Sequence, residues 1–442
     1  MRLHGMLCGS HLPPTQALFI NPPPRNAAPG RPGSLNRAIP NGKPKRNVIC
    51  NAEPFGGGPG ATLDAMMPYL RDRLQPWGPM ALHFVGSGYS LAFQRLRNKP
   101  EGSLWDELHD IDLYTKPEQG KTELTQLCER LQPVLFVTVM DANAAGIALA
   151  AGCRVVVIDL LLWWWPKIPT LWPEVERVVA ADFYGVKERI AHEKLANVVT
   201  VPPLGPPPKT DDTGKRKNVL LNFGGLQNPY IPLKENIAYA QLVYNAARRA
   251  LDLRNATCAG DPAELITLTA STAVARGLVV EPPGTEAART VLPDEALALM
   301  GSSELVCCTS GLGNLYGAAA VARDVFLLPP TNATQGIQCL LAEKAGIRMD
   351  RVDWHDLTGG EAIKYDNEDP EVFKDISKAQ QEVISSSEAQ TQLAKRMFAA
   401  MKQSATAGRS ANEPALRSLI RVFGQDSGDA MAANVVDVLK EV

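Results

Sequence analysis

The 442-residue sequence lacks a long apolar run, a phosphate-binding P-loop motif and any appreciable net charge. Its longest apolar stretch, Val155–Trp165, is interrupted by Asp159 and is shorter than the about 20 residues that a membrane-spanning helix needs. A formal net charge of -2 gives no general attraction to nucleic acid or to an anionic membrane. We therefore expect small-molecule substrates, no nucleic-acid partner and no membrane span, and we leave a homodimer open.

Metal-binding and disulfide patterns are also missing. The eight cysteines form no CxxC pair, and the six histidines are scattered without the spacing of a zinc site. Several cysteines fall within apolar, strand-like runs, which predicts reduced, buried thiols in a cytoplasmic protein. One Asp-x-Asp, Asp110–Asp112, resembles the pair that holds Mn²⁺ or Mg²⁺ in some metal-dependent transferases. Its acidic surroundings instead favour a solvent-exposed face. We expect no metal and no cofactor.

Acidic residues are absent from the first 52 positions, which contain seven basic residues and nine prolines. Such a segment cannot bury enough apolar surface to offset the entropy lost on ordering. The composition predicts a disordered extension over residues 1–46, with a transit peptide as the alternative. No apolar run of 7–15 residues follows the basic start, so a secretory signal is not indicated.

From Asn47 onward, short apolar runs alternate with longer helical stretches, which is typical of a parallel sheet covered by helices. The pattern stops at a proline-rich segment that ends in Pro208, followed by polar residues up to Lys217. It then restarts at Asn218, and the chain is almost entirely helical after Pro370. We predict an α/β protein with two Rossmann-like domains, at 47–208 and 209–375, and a helical tail at 376–442. Predicted strands are Val48–Asn51, Ala81–Val85, Val134–Met140, Arg154–Ile158, Val198–Val201, Val219–Phe223, Ala256–Cys258, Leu278–Val280, Leu305–Cys308 and Val325–Leu328.

Three glycine-rich turns follow predicted strands: Glu53–Gly60, Asn222–Gln227 and Thr309–Gly317. A turn of this kind lets a ligand approach the backbone amides at the positive end of the next helix. The third turn is the strongest candidate for a ligand-binding site, because the Ser310 hydroxyl and the amides of the first helical turn could hold a diphosphate. A dinucleotide fingerprint fits it poorly, since the third glycine, Gly317, comes one position late.

The order of these features resembles the GT-B nucleotide-sugar glycosyltransferases, over about residues 47–375. The resemblance implies two domains that face a cleft, with the first glycine-rich loop toward the acceptor and the second domain holding a UDP-sugar. Details of the loops are also similar to cytosylglucuronate synthases, which implies UDP-glucuronate and cytosine as substrates. The implied donor-binding residues are Gly224, Gly225, Val291, Leu292, Thr309, Ser310, Gly311, Gly313, Asn314 and Gln335. The implied acceptor-binding residues are Phe55, Gly56, Gly57, Gly58 and Trp163.

The sequence departs from many of these relatives at two positions. Gly317 stands where they carry a ribose-binding Glu, and Glu53–Gly60 lacks their catalytic His. An inverting transfer needs a base, and the carboxylates at strand ends are the candidates: Asp141, Glu53 and Asp159. Asp141 could equally serve as a helix N-cap. Likewise, Trp163–Trp165 could line a cleft or cap a core.

We therefore predict an inverting, metal-independent glycosyltransferase. Two alternatives remain: a GT-B sugar-nucleotide epimerase, and a non-catalytic protein that binds nucleotide sugars.

Overall fold

The computed structural model describes residues 45–98, 103–206, 218–227, 230–257, 265–281, 288–321, 324–347, 349–367, 369–407, 413–425 and 427–440. The predicted extension, apart from Lys45 and Arg46, and the predicted polar linker at 209–217 lie outside these residues. Within them, the strands form two parallel sheets, and we call each sheet with its connecting helices a lobe.

The first lobe contains a seven-stranded parallel sheet in the described residues, ordered β3-β2-β1-β4-β5-β6-β7. Its central strands are buried on both faces, as expected where helices cover both sides of a parallel sheet. The strands are β1 (Arg46–Ala52), β2 (Met80–Gly86), β3 (Glu107–Asp110), β4 (Leu135–Val139), β5 (Val155–Asp159), β6 (Arg177–Ala181) and β7 (Val198–Val201). The helices are α1 (Gly58–Leu74), α2 (Gly88–Arg97), α3 (Pro117–Leu131), α4 (Ala142–Ala150) and α5 (Val186–Glu193).

The second lobe contains five described parallel strands in the order β12-β11-β10-β8-β9. The strands are β8 (Asn218–Asn222), β9 (Leu265–Thr269), β10 (Ser303–Cys308), β11 (Asp324–Leu327) and β12 (Asp350–Arg351). The helices are α6 (Leu233–Thr257), α7 (Thr272–Gly277), α8 (Pro293–Ser302), α9 (Leu312–Val321), α10 (Ala333–Lys344) and α11 (Trp354–Thr358).

The C-terminal helices pack on both lobes. They are α12 (Asp369–Ser385), α13 (Ser387–Ala407), α14 (Glu413–Phe423) and α15 (Gly428–Asp437). Helix α13 packs on α6 of the second lobe, whereas α15 packs on α1 of the first. The second contact includes two hydrogen bonds of 2.7 Å from the Arg73 guanidinium to the Asp429 carboxylate. The last part of the chain therefore returns to the sheet with which the described part begins.

The architecture confirms the predicted α/β class, with two parallel sheets and helices after them. Two predicted strands are wrong. Ala256 and Thr257, from Ala256–Cys258, belong to the last turn of α6. That helix continues because its buried alanines and tyrosines recur at helical spacing, and the strand that follows it is β9 instead. The segment Leu278–Val280 is not a strand either, since it follows α7 as irregular backbone.

Among the described residues, no helix combines the length and the apolarity that would be needed to cross a membrane.

Candidate functional site

The glycine-rich turns of the two lobes touch each other at the carboxyl ends of the strands. The amide of Gly56, after β1, donates a 2.7 Å hydrogen bond to the carbonyl of Gln227, after β8. Between them, a β-carbon at Gly225 would lie 2.6 Å from the carbonyl carbon of Gly56 and 2.7 Å from the nitrogen of Gly57. The sequence predicts both turns as ligand loops, and what the structure shows is a close backbone contact between the lobes.

Hydrogen bonds between asparagines connect the second glycine-rich turn to the third. The Asn222 amide nitrogen donates to Asn314 Oδ1 at 3.1 Å, and Asn222 Oδ1 accepts the amide of Gly224 at 2.9 Å. Asn314 in turn donates to the carbonyl of Thr309 at 2.9 Å. Gly224 has a φ of +59°, a conformation that favours glycine. This network fixes the backbone of the turns after β8 and β10 relative to each other.

The N-terminus of α9 is open. A β-carbon at Gly311 or at Gly313 would meet no atom within 4 Å, so space lies in front of this turn. The amides of Asn314 and Leu315 already donate to the carbonyl of Gly311. By contrast, the amides of Leu312 and Gly313 donate to no atom within the part of the chain that the structure describes. Unpaired amides at the positive end of a helix can hold an anion, as predicted for a diphosphate.

Gln335, at the start of α10, is held in one orientation. Its Oε1 accepts the Thr331 amide at 2.9 Å and the Thr331 hydroxyl at 3.1 Å. Its Nε2 donates to no described protein atom, which leaves that amide group available to a ligand. The Ser310 hydroxyl donates to the Gln335 carbonyl at 3.0 Å, and Ser310 is fully buried. In this conformation the Ser310 hydroxyl therefore joins two turns, and its proton is already used within the protein.

The segment implied to cradle the base, Val291 and Leu292, lies beside the edge strand β9. Its neighbour Arg289 exchanges backbone hydrogen bonds with Leu268 and Ala270 at the end of that strand. Val291 and Leu292 are half-buried, and Leu292 caps the start of α8. The segment therefore lies at the same edge of the second sheet as the turns after β8 and β10.

Two of the predicted bases, Glu53 and Asp141, lie close together at the end of the first sheet. Asp141 is buried and caps α4, where it accepts the Ala144 amide at 2.9 Å. The Tyr114 hydroxyl donates to Glu53 Oε1 at 3.5 Å and also interacts with Asp141. Burial is the main cause that raises the pKa of both carboxyls, and the charge of Asp141 raises that of Glu53 further. Glu53, which is half-buried and caps no helix, is better placed to accept a proton from a substrate.

The structure adds Asp369, a carboxylate that the sequence analysis did not select. Asp369 is the first residue of α12, and burial raises its pKa to about 6. Its charge raises the pKa of Glu53, so a residue more than 300 positions away belongs to the same electrostatic cluster. No local motif marks this aspartate, because only the packing of α12 brings it toward the first lobe.

Aromatic rings from four parts of the chain lie near these carboxylates. Phe55 lies 6.1 Å from Tyr230 and 6.5 Å from Phe373, measured between ring centroids. Tyr230 also stacks on Phe373 at 6.3 Å and meets Tyr114 edge-on at 6.4 Å. The sequence predicts only Phe55 at the acceptor side, and the other three rings join it through tertiary packing. We call these four residues the aromatic cluster.

The third predicted base, Asp159, is enclosed by hydrogen-bond donors. Its carboxylate accepts the Leu161 amide at 2.7 Å and the indole N–H groups of Trp165 at 2.9 Å and Trp172 at 2.6 Å. The side chain is fully buried, and burial raises its pKa despite these donors. This arrangement organises the loop after β5, and it leaves the carboxylate without access to a substrate in this conformation.

Of the tryptophan triplet, the structure directs Trp164 rather than Trp163 toward the second lobe. Trp163 is buried, donates to the carbonyl of Leu160 and packs on Phe183 at 5.4 Å, as expected for a residue that caps a core. Trp164 packs against apolar residues of the second lobe as well as those of the first. Its buried Nε1 has no hydrogen-bond partner among the described residues, which makes it an unused donor between the lobes.

Comparisons with known proteins give structural matches only. No protein-family model matches the chain, and no curated protein sequence does. Among solved structures, the chain is similar to the glycotransferase of kitacinnamycin, with a TM-score of 0.46, 13% identity and coverage of 89% of this chain and 99% of that one. It is also similar to the UDP-GlcNAc 2-epimerase of Neisseria meningitidis bound to UDP-GlcNAc, with a TM-score of 0.46, 15% identity and coverage of 85% and 99%. MurG of Acinetobacter baumannii matches with a TM-score of 0.39, 12% identity and coverage of 86% and 99%. At this level of similarity, the matches carry no information about substrates or individual residues.

Proposed function

We propose that the chain is a glycosyltransferase that moves a sugar from a nucleoside-diphosphate donor, UDP-linked, to a small planar acceptor. The observation that carries this proposal is the open N-terminus of α9 at Gly311–Gly313, next to the contact between the two lobes. An anion-binding turn and a cluster of carboxylates then lie at the carboxyl ends of two facing sheets, where α/β proteins bind ligands.

The geometry of the second lobe supports donor binding there. The diphosphate lies at the free amides of Leu312 and Gly313, where the helix dipole stabilises negative charge. Gln335 Nε2 donates to a hydroxyl of the sugar, and the backbone near Val291 and Leu292 meets the base. Because the helix end supplies the positive potential, the leaving diphosphate gains support without a metal ion.

The transfer needs a base on the acceptor side. In the proposed step, the acceptor's nucleophilic atom loses its proton to Glu53 and forms a bond to the anomeric carbon. The bond from that carbon to the diphosphate oxygen breaks, and UDP leaves with the electron pair. Burial, with the charges of Asp141 and Asp369, keeps the pKa of Glu53 high, which suits it to hold a proton after the step.

The aromatic cluster supports the proposal of a planar acceptor. Rings such as Phe55 and Phe373 offer flat, apolar surfaces on which a planar molecule can lie, and the Trp164 indole supplies an unpaired donor. Cytosine is one planar acceptor of this kind, with UDP-glucuronate as its donor. The nearby carboxylates disfavour a uronate, so UDP-glucose and UDP-glucuronate form an informative pair of donors.

The same carboxylates favour a second candidate, a sugar-nucleotide epimerase. An epimerase needs acid and base groups beside the sugar, and Glu53, Asp141 and Asp369 form such a group. It would convert the donor without any acceptor. A non-catalytic nucleotide-sugar-binding protein is the third candidate.

UDP release separates these three candidates. The full chain would be incubated with UDP-glucose, UDP-N-acetylglucosamine or UDP-glucuronate, with and without planar acceptors including cytosine. UDP released only with an acceptor supports transfer. A changed sugar nucleotide, or UDP released without an acceptor, overturns transfer in favour of the epimerase. Binding of UDP with no turnover under any condition overturns both enzymatic candidates.

Location and assembly stay predictions. The described cysteines, Cys50, Cys128, Cys153, Cys307, Cys308 and Cys339, are free and buried, which suits the predicted reducing cytoplasm. A homodimer is also kept as a proposal, to be measured by analytical ultracentrifugation.

A further inference from the structure

Two histidines and a glutamate come together on the edge of the first sheet. In the parallel pair of β2 and β3, His83 lies directly opposite Glu107, and His109 follows two residues later on β3. Residues two apart on a strand point to the same face, so all three side chains share one face of the sheet. No zinc spacing is visible in the sequence because strand pairing, rather than a local motif, brings these residues together.

The three potential ligand atoms form a nearly equilateral triangle. His83 Nδ1 lies 3.3 Å from His109 Nε2 and 3.6 Å from Glu107 Oε2, and the last two atoms are 3.4 Å apart. A point about 2.0 Å from each of the three atoms therefore exists between them. Zinc binds imidazole nitrogen at about 2.0–2.1 Å and carboxylate oxygen at about 2.0–2.2 Å. The spacing thus fits a zinc ion with little movement of the side chains.

A further residue holds His83 in the state that binds metal. Asn47 donates through its Nδ2 to the carbonyl of Leu131 at 2.6 Å, which turns its Oδ1 toward His83. His83 Nε2 lies 3.1 Å from that oxygen, so the ring proton is on Nε2 and the Nδ1 lone pair faces His109 and Glu107. A hydrogen-bonded partner of this kind, behind a histidine ligand, is a usual feature of protein metal sites.

The alternative is a simple hydrogen bond between the two histidines, and the carboxylate makes it unfavourable. With a lone pair on His83 Nδ1, the single proton of His109 Nε2 would have to serve both His83 and Glu107. A cation between the three atoms satisfies all three lone pairs at once.

We propose that His83, Glu107 and His109 form a zinc site, with water in the fourth position. His109 lines a surface groove of about 480 Å³ with residues of β3 and α3, which gives the ion a path from solvent. Asn47 is the second residue of β1, so the site lies toward the amino ends of the strands, away from the glycine-rich turns. Its role is therefore structural: it fastens the edge strand β3 to β2, and it is independent of the proposed transfer reaction.

Zinc titration of the full, tag-free chain tests the proposal. After treatment with EDTA and its removal, calorimetry would measure Zn²⁺ binding to the wild type, His109→Ala, Glu107→Gln and His192→Ala. His192 is exposed on α5 and serves as the matched control. We expect the wild type and the control to bind one equivalent that both site variants lose or bind at least tenfold more weakly. If His109→Ala and Glu107→Gln bind Zn²⁺ like the wild type, the proposal is overturned.

Cobalt provides a second readout that identifies the ligands. Co²⁺ at this site should give a visible ligand-field spectrum without a thiolate-to-cobalt charge-transfer band, and the spectrum should disappear in His109→Ala. A thiolate band that persists in both site variants would assign the metal to cysteines and would also overturn the proposal. Thermal unfolding with added Zn²⁺ should raise the melting temperature of the wild type and of His192→Ala but not of the site variants.

Discussion

Gly225 of the second lobe lies directly against Gly56 of the first, with no room for a side chain between them. A β-carbon at Gly225 would come within 2.6 Å of the Gly56 carbonyl carbon, a distance that real β-carbons do not show. Because the obstacle is backbone rather than a flexible side chain, either loop must move to admit any other residue. The two lobes are thus held in register by glycine at the carboxyl ends of their first strands.

Replacing this glycine should weaken the contact between the lobes. We expect Gly225→Ala to lower the free energy of unfolding by about 1–3 kcal/mol through overpacking, measured by chemical or thermal unfolding. Gly58→Ala is the matched control, since a β-carbon at Gly58 meets nothing within 4 Å. An equal effect of the two substitutions would show that the lobes are not held by this contact.

A bulky residue at Gly311 should block the anion site without disturbing the fold. The space in front of Gly311 admits a side chain, so Gly311→Leu should retain the wild-type melting temperature. The same side chain would cover the amides of Leu312 and Gly313, and we expect UDP binding to be lost in calorimetry. Unchanged UDP affinity would contradict the assignment of the diphosphate to this helix end.

Asp141→Asn separates the charge of this residue from its capping role. Asparagine caps helices as well as aspartate does, so the substitution should preserve α4 and the stability of the protein. Removing the negative charge should lower the pKa of Glu53 and reduce turnover more than donor affinity. Steady-state kinetics at varied UDP-sugar concentration measures both parameters. A variant with a normal rate would exclude Asp141 from the reaction.

Glu53→Gln should have the larger effect if Glu53 accepts the proton. We expect turnover to fall by about 10²–10⁴-fold, the range for loss of a general base, with UDP affinity within about threefold of the wild type. Wild-type turnover in this variant would leave Asp141 or Asp369 as the base.

The pH profile should report on Asp369. Its ionised form raises the pKa of Glu53, so Asp369→Asn should move the rising limb of turnover against pH to lower pH. Rates measured between about pH 5 and 8 would show the shift. A profile that stays in place would mean that Asp369 does not interact with the base.

Stability should respond to the same substitution with a defined sign. Burial raises the pKa of Asp369 from 3.8 to about 6, so the folded protein binds the proton more tightly than the unfolded chain. Its stabilising contribution is therefore complete below the unfolded pKa and is lost as pH rises through about 6. Asp369→Asn should be more stable than the wild type at pH 7, on the order of 1 kcal/mol after solvent screening, but not at pH 4. Thermal unfolding at the two pH values measures this difference.

Phenylalanine substitutions should distinguish the two neighbouring tryptophans. Trp164→Phe removes the unpaired indole donor between the lobes, and we expect a higher KM for the acceptor with little change in stability. Trp163→Phe removes a hydrogen bond within the first lobe and should lower stability by about 1 kcal/mol without changing KM. Equal acceptor KM values for both variants and the wild type would remove Trp164 from the acceptor site.

The sequence predicted the loops of the candidate site better than its side chains. Glycine turns after apolar strands have local causes, so neighbouring residues alone are enough to indicate the turns at Glu53–Gly60 and Thr309–Gly317. Two of the three residues in the acidic cluster could be selected from the sequence: Glu53 and Asp141 follow strands, whereas Asp369 lies in a helix far along the chain. The sequence also offered Asp159 on the same grounds as Asp141, and only the structure shows that the Asp159 carboxylate is enclosed by donors of the loop after β5.

By itself, the sequence determined the α/β class, the two sheets and the helical end, because the spacing of apolar residues that marks strands and helices is a local property of the sequence. Only the tertiary structure shows how the lobes meet, which carboxylates interact electrostatically, and that His83 and His109 lie side by side. These features depend on contacts between residues that are distant along the chain. Such contacts produce no pattern among neighbouring residues, so the sequence alone does not indicate them.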